Sequence, residues 1–447
     1  MKKSQAKSRL KSLTVWMNGE RVATWSINQG KDTLTYDDHW LRSPHARPLS
    51  LTMPFTPENK PYTGEVVAFW FDNLLPDSPQ LRQRIARRFK TLGQTPFDLL
   101  SEVGRDSVGA VQLLPTHQQP SQIKTIQAKA ITETEIADYL SSYTSSSSLQ
   151  NQSFNLDEFR ISLAGAQEKS ALLKQDGIWK LPLGPTPTTH ILKLPLGLIG
   201  NLQMDMTDSV ENEWLCLQLL GAYGLPVAIG TIERFNHLKA LVLERFDRVL
   251  SADSSWLIRL PQEDMCQAMA YPNYLKYEAD GGPGMDKILK LLASSTNANQ
   301  DKFNFIKAQF LFCLLCASDG HAKNFSVFIK PGGLFEMTPF YDVLSLYPVM
   351  GSAPDQIAWR KVKMAMAVRG KNPHWKMSEI QPRHWYDLAL RHGIAVTGQD
   401  SPFQQVIDQT PRVIEKIKDL LPADFPVKVS QSIFDGLSNA VKRFELK

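Results

Sequence analysis

Cysteine is scarce: the 447 residues contain four, Cys216, Cys266, Cys313 and Cys316, too few to staple a chain of this length with disulfides. Cys313 and Cys316 spell C-x-x-C, but they sit in the apolar run Phe310 to Ala317 with no second ligand pair nearby, so they read as buried thiols in a helix rather than metal ligands. Long hydrophobic runs are also missing. The best, Phe310 to Ala317, falls far short of the roughly 20 residues that a membrane-spanning helix needs. Met1 to Lys11 is basic, but the apolar stretch after it stops at Gly19, too soon for a signal peptide, and Leu13 to Gly19 reads as a strand and turn. A cytoplasmic location with no membrane partner is the expectation. Charge of one sign is lacking too: a net +5 is a mild bias, which neither requires nor forbids nucleic-acid contact. The densest basic cluster, Arg82 to Lys90, follows Asp77-Ser78-Pro79, a cap and a first-turn proline. It reads as the solvated face of a helix.

What is present is a chain long enough for two or three packed units, with 43% hydrophobic residues, ordinary for a globular protein. Residues 13–115 hold short alternating runs followed by the capped helix near 79–91 and read as a small α+β unit. A connecting segment follows at 116–155, rich in Gln, Ser and Thr and carrying one helix from Glu133 to Leu140. Residues 156–250 alternate strands and turns. Residues 251–447 read as helical, with patterns at 262–271, 283–293, 301–317 and Pro411 to Leu421. The fold expected is α+β and two-lobed like a protein kinase, with a strand-rich N-terminal lobe, an all-helical C-terminal lobe and a nucleotide cleft between them.

The chemistry is densest between Ser318 and Asp342. Asp319-Gly320-His321-Ala322-Lys323-Asn324 is followed by a short apolar stretch and Phe340-Tyr341-Asp342. An aspartate, an asparagine five residues on and a second aspartate after a hairpin-length gap is the order in which kinases present a base and magnesium ligands. Asp319 would accept the proton of a substrate hydroxyl, and Asn324 and Asp342 offer the oxygen ligands that Mg²⁺ prefers. Lys323 is placed to neutralise a transferring phosphoryl group, and His321 to serve as a structural hydrogen-bonder. Upstream, His190-Ile191-Leu192-Lys193-Leu194 supplies a lysine in an apolar strand for the α- and β-phosphates of ATP. Its carboxylate partner would come from the helix that follows, where Glu211 and Glu213 both qualify. Ser162 to Ser170, containing Ala164-Gly165-Ala166-Gln167-Glu168-Lys169, is the candidate phosphate-covering loop, its small residues admitting backbone N–H groups close to phosphate. Leu241-Val242-Leu243-Glu244-Arg245-Phe246 ends a strand where a hinge would hold adenine by its backbone, with Phe246 near the ring.

With those residues on the page, the chain resembles the HipA family of toxin serine/threonine kinases. The resemblance runs through Phe71 to Ser78, Phe97 to Ala110, Ser162 to Lys169, Thr189 to Pro195, Leu260 to Gln267, Lys276-Tyr277-Glu278 with Asp280 to Gly284, and Asp319 to Ile329, spanning about residues 13–350. It implies catalysis by Asp319 and magnesium at Asn324 and Asp342. ATP contacts are implied at Ala164, Gly165, Ala166, Gln167, Glu168, Lys169, Lys193, Glu244, Arg245, Phe246, His321, Ala322, Lys323, Asn324 and Tyr341. Ser162 occupies the place of a serine that the family phosphorylates on itself, which expels the loop and silences the enzyme. About two added negative charges beside a phosphate-holding loop would repel ATP. The resemblance also implies a HipB-like helix-turn-helix antitoxin dimer, operator DNA reached through that complex, and glutamyl-tRNA synthetase as the protein substrate, with growth arrest as the outcome. Lys361, Lys363, Arg369 and Lys371 are candidates for direct DNA contact. Two other readings stay open: a small-molecule kinase, against which Ser162 and Phe71 to Ser78 speak, and an idle corepressor, against which Asp319, Asn324, Asp342 and Lys193 speak.

Overall fold

The computed structural model describes residues 11–144, 167 and 169–445. The N-terminal unit is an antiparallel sheet of five strands in the spatial order Tyr62–Thr63, Lys31–Tyr36, Glu20–Asn28, Lys11–Met17, Val111–Pro115. Its first two hairpins turn through Asn18-Gly19 and Gln29-Gly30, and all four residues have positive φ, from 47° to 84°. That is the two-residue turn whose twist matches the flanking strands, and asparagine and glycine enter it at least strain. Two helices, Glu65–Asp72 and Pro96–Val103, cover one face. There Trp25 of the sheet stacks on Phe71 with ring centroids 3.8 Å apart. The helix Pro79–Phe89 begins as its sequence announces: the Ser78 hydroxyl accepts from the Leu81 N–H, and Pro79 fills the first turn. None of its residues is fully buried; Arg84 and Arg87 are exposed, whereas Arg82 folds back to Asp72 and the Pro76 carbonyl and is only 15% exposed.

A second antiparallel sheet has six strands, in the order Gly230–Phe235, Leu238–Glu244, His190–Lys193, Lys169–Gln175, Ile178–Pro182, Ala128–Ala130. The outermost strand and the helix Glu133–Thr144 come from the Gln/Ser/Thr-rich stretch read as a connection, which therefore also builds. Lys193 lies on a central strand, opposite Lys169 on one side and Leu241 on the other. The helix Ser209–Ala222 packs Leu215, Leu219 and Leu220 into the same core as Leu241 and Leu243.

Beyond residue 250 the expectation of an all-helical lobe is corrected. Helices Met285–Leu292, Ala298–Leu314, Pro382–Arg391, Pro402–Lys418 and Val427–Glu445 supply the bulk. Short strands are set among them: Gln262–Asp264, Ser326–Ile329 and Phe335–Met337 form one sheet, and Lys363–Arg369 pairs with Pro373–Lys376. The reason is local: Ser326–Ile329 is a β-forming run followed by Pro331-Gly332-Gly333, whose glycines have φ of 74° and 80° and reverse the chain. The chain is thus a mixed α/β protein with several sheets. The last helical pattern begins earlier than Pro411, at the Ser401 cap and Pro402, and runs through Pro411. The four cysteines are buried and free. Among the described residues no helix is long and apolar enough to cross a membrane.

Candidate active site

The deepest helix of the C-terminal region, Ala298–Leu314, delivers the chain to Asp319. Gly320 must be glycine there, because a Cβ would lie 2.5 Å from the Phe312 ring beneath it. The next residues wind into one tight turn, Ala322–Asn324, held from within. The His321 N–H donates to the Asp319 carbonyl at 2.8 Å, and the Asn324 side-chain N–H₂ donates to that same carbonyl at 2.8 Å. With its amide nitrogen spent on the loop, Asn324 has its side-chain oxygen left for other work. The Asp319 side chain is 60% exposed, as a group that meets substrate must be. One of its oxygens accepts from the Tyr277 hydroxyl at 2.7 Å. His321 is buried with its ring perpendicular to that of Tyr277, and burial pushes its imidazole below the ordinary value, toward the neutral form; its Nδ1 has no hydrogen-bond partner among the described residues, so the side chain packs there without the structural hydrogen bond expected of it.

Asp342 comes to the same place from the other end of a hairpin. The strands Ser326–Ile329 and Phe335–Met337 turn the chain back, and Phe340 is pinned by backbone bonds to Pro226 and Ala228. The Tyr341 hydroxyl bonds to Ser326 Oγ at 2.6 Å and to the Lys323 carbonyl at 3.0 Å, so it fastens this arm to the Asp319 loop. Asp342 itself has φ of 62°, a strained conformation for a residue with a side chain.

Lys193 meets them from the second sheet. Its ammonium donates to Glu213 at 2.6 Å and to Asp342 at 2.8 Å. Helix geometry resolves the choice left by the sequence: residues two apart on a helix face different ways, and Glu211 turns to Lys239 instead. Burial alone would lower the Lys193 pKa, but Asp342 and Glu213 outweigh it and raise it. Burial likewise pushes Asp342 up, and Lys193 and Lys169 together pull it well below the usual carboxylate range. Lys169, on the neighbouring strand, is lowered to about 8 by burial, partly offset by Asp342. Two lysines and two carboxylates thus share one pocket of the fold, with Asp342 still 27% exposed along its side chain.

The other sequence-selected residues fall into three groups. Gln167 ties the end of the candidate phosphate loop to the strand carrying Lys193, donating to the Leu194 carbonyl at 2.9 Å. Ser162, Ala164, Gly165, Ala166 and Glu168 lie outside the described residues. At the candidate hinge, the N–H groups of Glu244 and Arg245 are spent on the carbonyls of Ile229 and Thr189. The Arg245 side chain turns inward to Asp106 and Asp247, away from any ligand. Phe246 keeps its ring beside Tyr341, centroids 5.8 Å apart. Lys323 is committed elsewhere. Its ammonium is buried 2.9 Å from Asp77 Oδ1 and 3.0 Å from Asn73 Oδ1, both in the N-terminal unit, so it bonds the Asp319 loop to that unit instead of facing outward. Ala322 is buried behind it.

Sequence reasoning assigned no role to Tyr277, Asn73 or Asp77. Their partners are 42 to 250 residues away along the chain, and no local spacing signals such pairs. Among the described residues no cluster of three or more histidine, cysteine or carboxylate side chains forms a closed metal cage.

Comparison with known proteins gives the chain a family. A family profile described as HipA-like C-terminal domain matches residues 161–417, and one described as HipA N-terminal domain matches residues 13–114. A Sinorhizobium fredii protein named "Putative kinase Y4mE" is 31% identical over 417 residues, which cover 91% of this chain and 93% of that one. The serine/threonine-protein kinase toxin HipA of Shewanella oneidensis is 27% identical over 76% of each chain. A chain from the solved complex of Shewanella oneidensis MR-1 HipA, HipB and operator DNA matches with a TM-score of 0.76 at 21% identity, over 97% of both chains. That likeness bears on the fold.

Proposed function

The chain belongs to the HipA family, and we propose that it is a Mg-ATP-dependent protein serine/threonine kinase, the toxin of a toxin–antitoxin pair. The observation that carries the reading is the meeting of Lys193 and Glu213 with Asp342, about 150 residues later in the chain, on the arm that Tyr341 fastens to the Asp319–Asn324 loop. In this reading the second sheet and the helix Ser209–Ala222 form the nucleotide-binding lobe, and residues 251–447 the lobe that presents the base. The remaining divisions are the N-terminal unit 13–115, the connection 116–155, whose strand Ala128–Ala130 joins the second sheet, and the nucleotide-binding part 156–250.

Each residue then has a task. Asp319, exposed and fixed at one oxygen by Tyr277, takes the proton of a serine or threonine hydroxyl through its other oxygen as that hydroxyl attacks the γ-phosphorus, whose bond to the β,γ-bridging oxygen breaks so that ADP leaves. Asn324 and Asp342 would hold Mg²⁺, which neutralises phosphate charge when bound. Lys193, kept cationic by Glu213, is free to exchange its bond to Asp342 for the α- and β-phosphates. Lys169 and the backbone of Ala164, Gly165, Ala166, Gln167 and Glu168 cover the phosphates, and His321 and Ala322 shape the floor. The Phe246 N–H and ring with Tyr341 hold adenine, because the Glu244 and Arg245 N–H groups are already paired. Lys323 acts as a tether rather than a phosphate ligand.

Regulation and partners follow the family reading. Phosphorylation of Ser162 by the kinase itself would silence it by repelling ATP phosphates. A HipB-like antitoxin dimer would hold the kinase on operator DNA as a corepressor, in the cytoplasm, and glutamyl-tRNA synthetase is the proposed protein substrate. Of the DNA-contact candidates, Lys363 is exposed, while Arg369 is paired with Glu278. The test is mass spectrometry of the intact chain after incubation with Mg-ATP, beside Asp319→Asn and Ser162→Ala. Phosphate on Ser162 in the parent and absent from Asp319→Asn is expected; equal phosphate in both would overturn the assignment of the base.

A further inference from the structure

A carboxylate serves as a base only if its free oxygen points at the incoming hydroxyl. The Tyr277 hydroxyl donates to Asp319 Oδ1 at 2.7 Å, so the tilt of the Tyr277 ring bears on where the other oxygen points. Burial, with the Asp319 carboxylate next to it, pushes the Tyr277 pKa up, and the hydroxyl keeps the proton it donates. The backbone of Tyr277 is fixed from behind. The Gly282 N–H donates to its carbonyl at 3.0 Å, and a Cβ on Gly282 would lie 2.8 Å from that oxygen and push it away. Two neighbours place the ring itself: the His321 ring, nearly perpendicular with centroids 5.0 Å apart, and the Lys276 ammonium, 5.4 Å from the Tyr277 centroid and within range of a cation–π attraction.

Lys276 is held in turn by the N-terminal unit. Its ammonium donates to Asp77 Oδ2 at 2.8 Å, while the other oxygen of Asp77 lies 2.9 Å from the Lys323 ammonium. Both partners of the Lys276 pair are largely buried, 12% and 13% exposed along their side chains. The Lys276 carbonyl also accepts from the Ala322 N–H at 3.2 Å, which joins its backbone to the Asp319 loop. A free lysine would sample many rotamers, and Asp77 confines this one to the place beside the ring. Lys323 alone already ties the Asp319 loop to the N-terminal unit, with Asn73 as a second acceptor at 3.0 Å. What Lys276 adds to that tether is a cation against the ring whose hydroxyl ends on the base.

We propose that Lys276, anchored by Asp77 of the N-terminal unit, is a positioning residue for phosphoryl transfer: it sets the Tyr277 ring so that Asp319 is aimed at the acceptor hydroxyl. The inference rests on the kinase reading and extends it, because it gives the N-terminal unit a part in the chemistry. The test is the rate at which the full chain incorporates phosphate into itself from γ-labelled Mg-ATP, measured as ATP is varied. Lys276→Met keeps the stem and removes the charge. It should lower the maximal rate roughly tenfold or more, with the half-saturating ATP concentration unchanged within about twofold. Lys276→Arg, which keeps a cation for the ring and for Asp77, should recover most of that loss. In a Tyr277→Phe chain, whose ring no longer bonds Asp319, Lys276→Met should cost less than about threefold more. A folded Lys276→Met chain with the parent's rate, or the same fold loss in both backgrounds, would overturn the inference and leave Lys276 a tether only. So would a Tyr277→Phe chain that keeps the parent's rate. A parent chain that incorporates no phosphate would defeat the kinase reading and this inference with it, a result distinct from an active parent whose variants are equally active.

Discussion

Two buried ionic clusters in this fold have nearly the same ingredients and opposite character. In the first, Arg245, Arg248 and Arg259 surround Asp106 and Asp247, and every carboxylate oxygen is accounted for. Asp106 accepts from Thr188 at 2.7 and 3.0 Å and from Arg248 at 2.9 Å, while Asp247 accepts from the Gly109 N–H at 2.7 Å and from Arg245 at 2.8 Å. The three guanidinium groups are at most 2% exposed. This cluster clamps the loop 105–109 of the N-terminal unit onto the strand end at Arg245, and none of its carboxylate oxygens is left over for a ligand. In the second, Lys193 is shared between Glu213 and Asp342, and Asp342 keeps an oxygen and a quarter of its side-chain surface open. Burial and charge alone do not separate scaffold from site. What separates them is whether the partners close on one another, because only an open cluster can trade a protein partner for a ligand.

The contrast can be broken by exchanging single carboxylates. Asp106→Asn should have the largest effect, a stability loss of roughly 3–5 kcal/mol by urea unfolding, because three buried guanidiniums lose their shared counter-charge. A loss under about 1 kcal/mol would remove Asp106 from the scaffold. Asp342→Asn should do the reverse. Phosphoryl transfer from ATP should fall roughly 10²–10³-fold, while stability changes by only about 1 kcal/mol, since Lys193 retains Glu213.

A third cluster lies between the two. Asp77 joins Lys323 at 2.9 Å and Lys276 at 2.8 Å, bonding the N-terminal unit to the Asp319 loop. Burial raises the Asp77 pKa, but the two lysines outweigh it and hold the carboxyl at about 2. A depressed carboxylate pKa contributes stability above the unfolded value of 3.8, and that contribution is lost as pH falls toward about 2. Asp77→Asn should therefore destabilise by about 2 kcal/mol at neutral pH, and the gap from the parent should shrink between pH 4 and 2. Melting curves at several pH values measure it, and a constant gap would contradict the pairing. Phe246→Ala should be the smallest change, weakening ATP binding about fivefold through loss of the ring beside Tyr341, with little effect on unfolding.

These clusters also show how far the sequence could be read. Asp319, Asn324 and Asp342 stood out because a loop and a hairpin bring them together within two dozen residues, a distance over which spacing is informative. The strand of Lys193 was legible from its apolar neighbours, and the helix Pro79–Phe89 from its cap and proline. Long-range pairing was not legible. Nothing near Lys323 signals that its ammonium turns to Asn73, 250 residues earlier, instead of toward a phosphate. Arg245 sits in a hinge-like stretch, yet its side chain belongs to the closed cluster. Gln262–Asp264, Ser326–Ile329 and Phe335–Met337 escaped because three- and four-residue runs between helices give periodicity too little length to register.

Calorimetric titration of ATP into the parent chain and into Asp342→Asn, each with and without Mg²⁺, tests the central claim most directly. The open cluster predicts that Mg²⁺ strengthens ATP binding to the parent at least about tenfold and that Asp342→Asn loses that gain. An equal Mg²⁺ effect in both chains would contradict it, and would place the metal, and with it the reacting phosphate, somewhere other than beside Lys193.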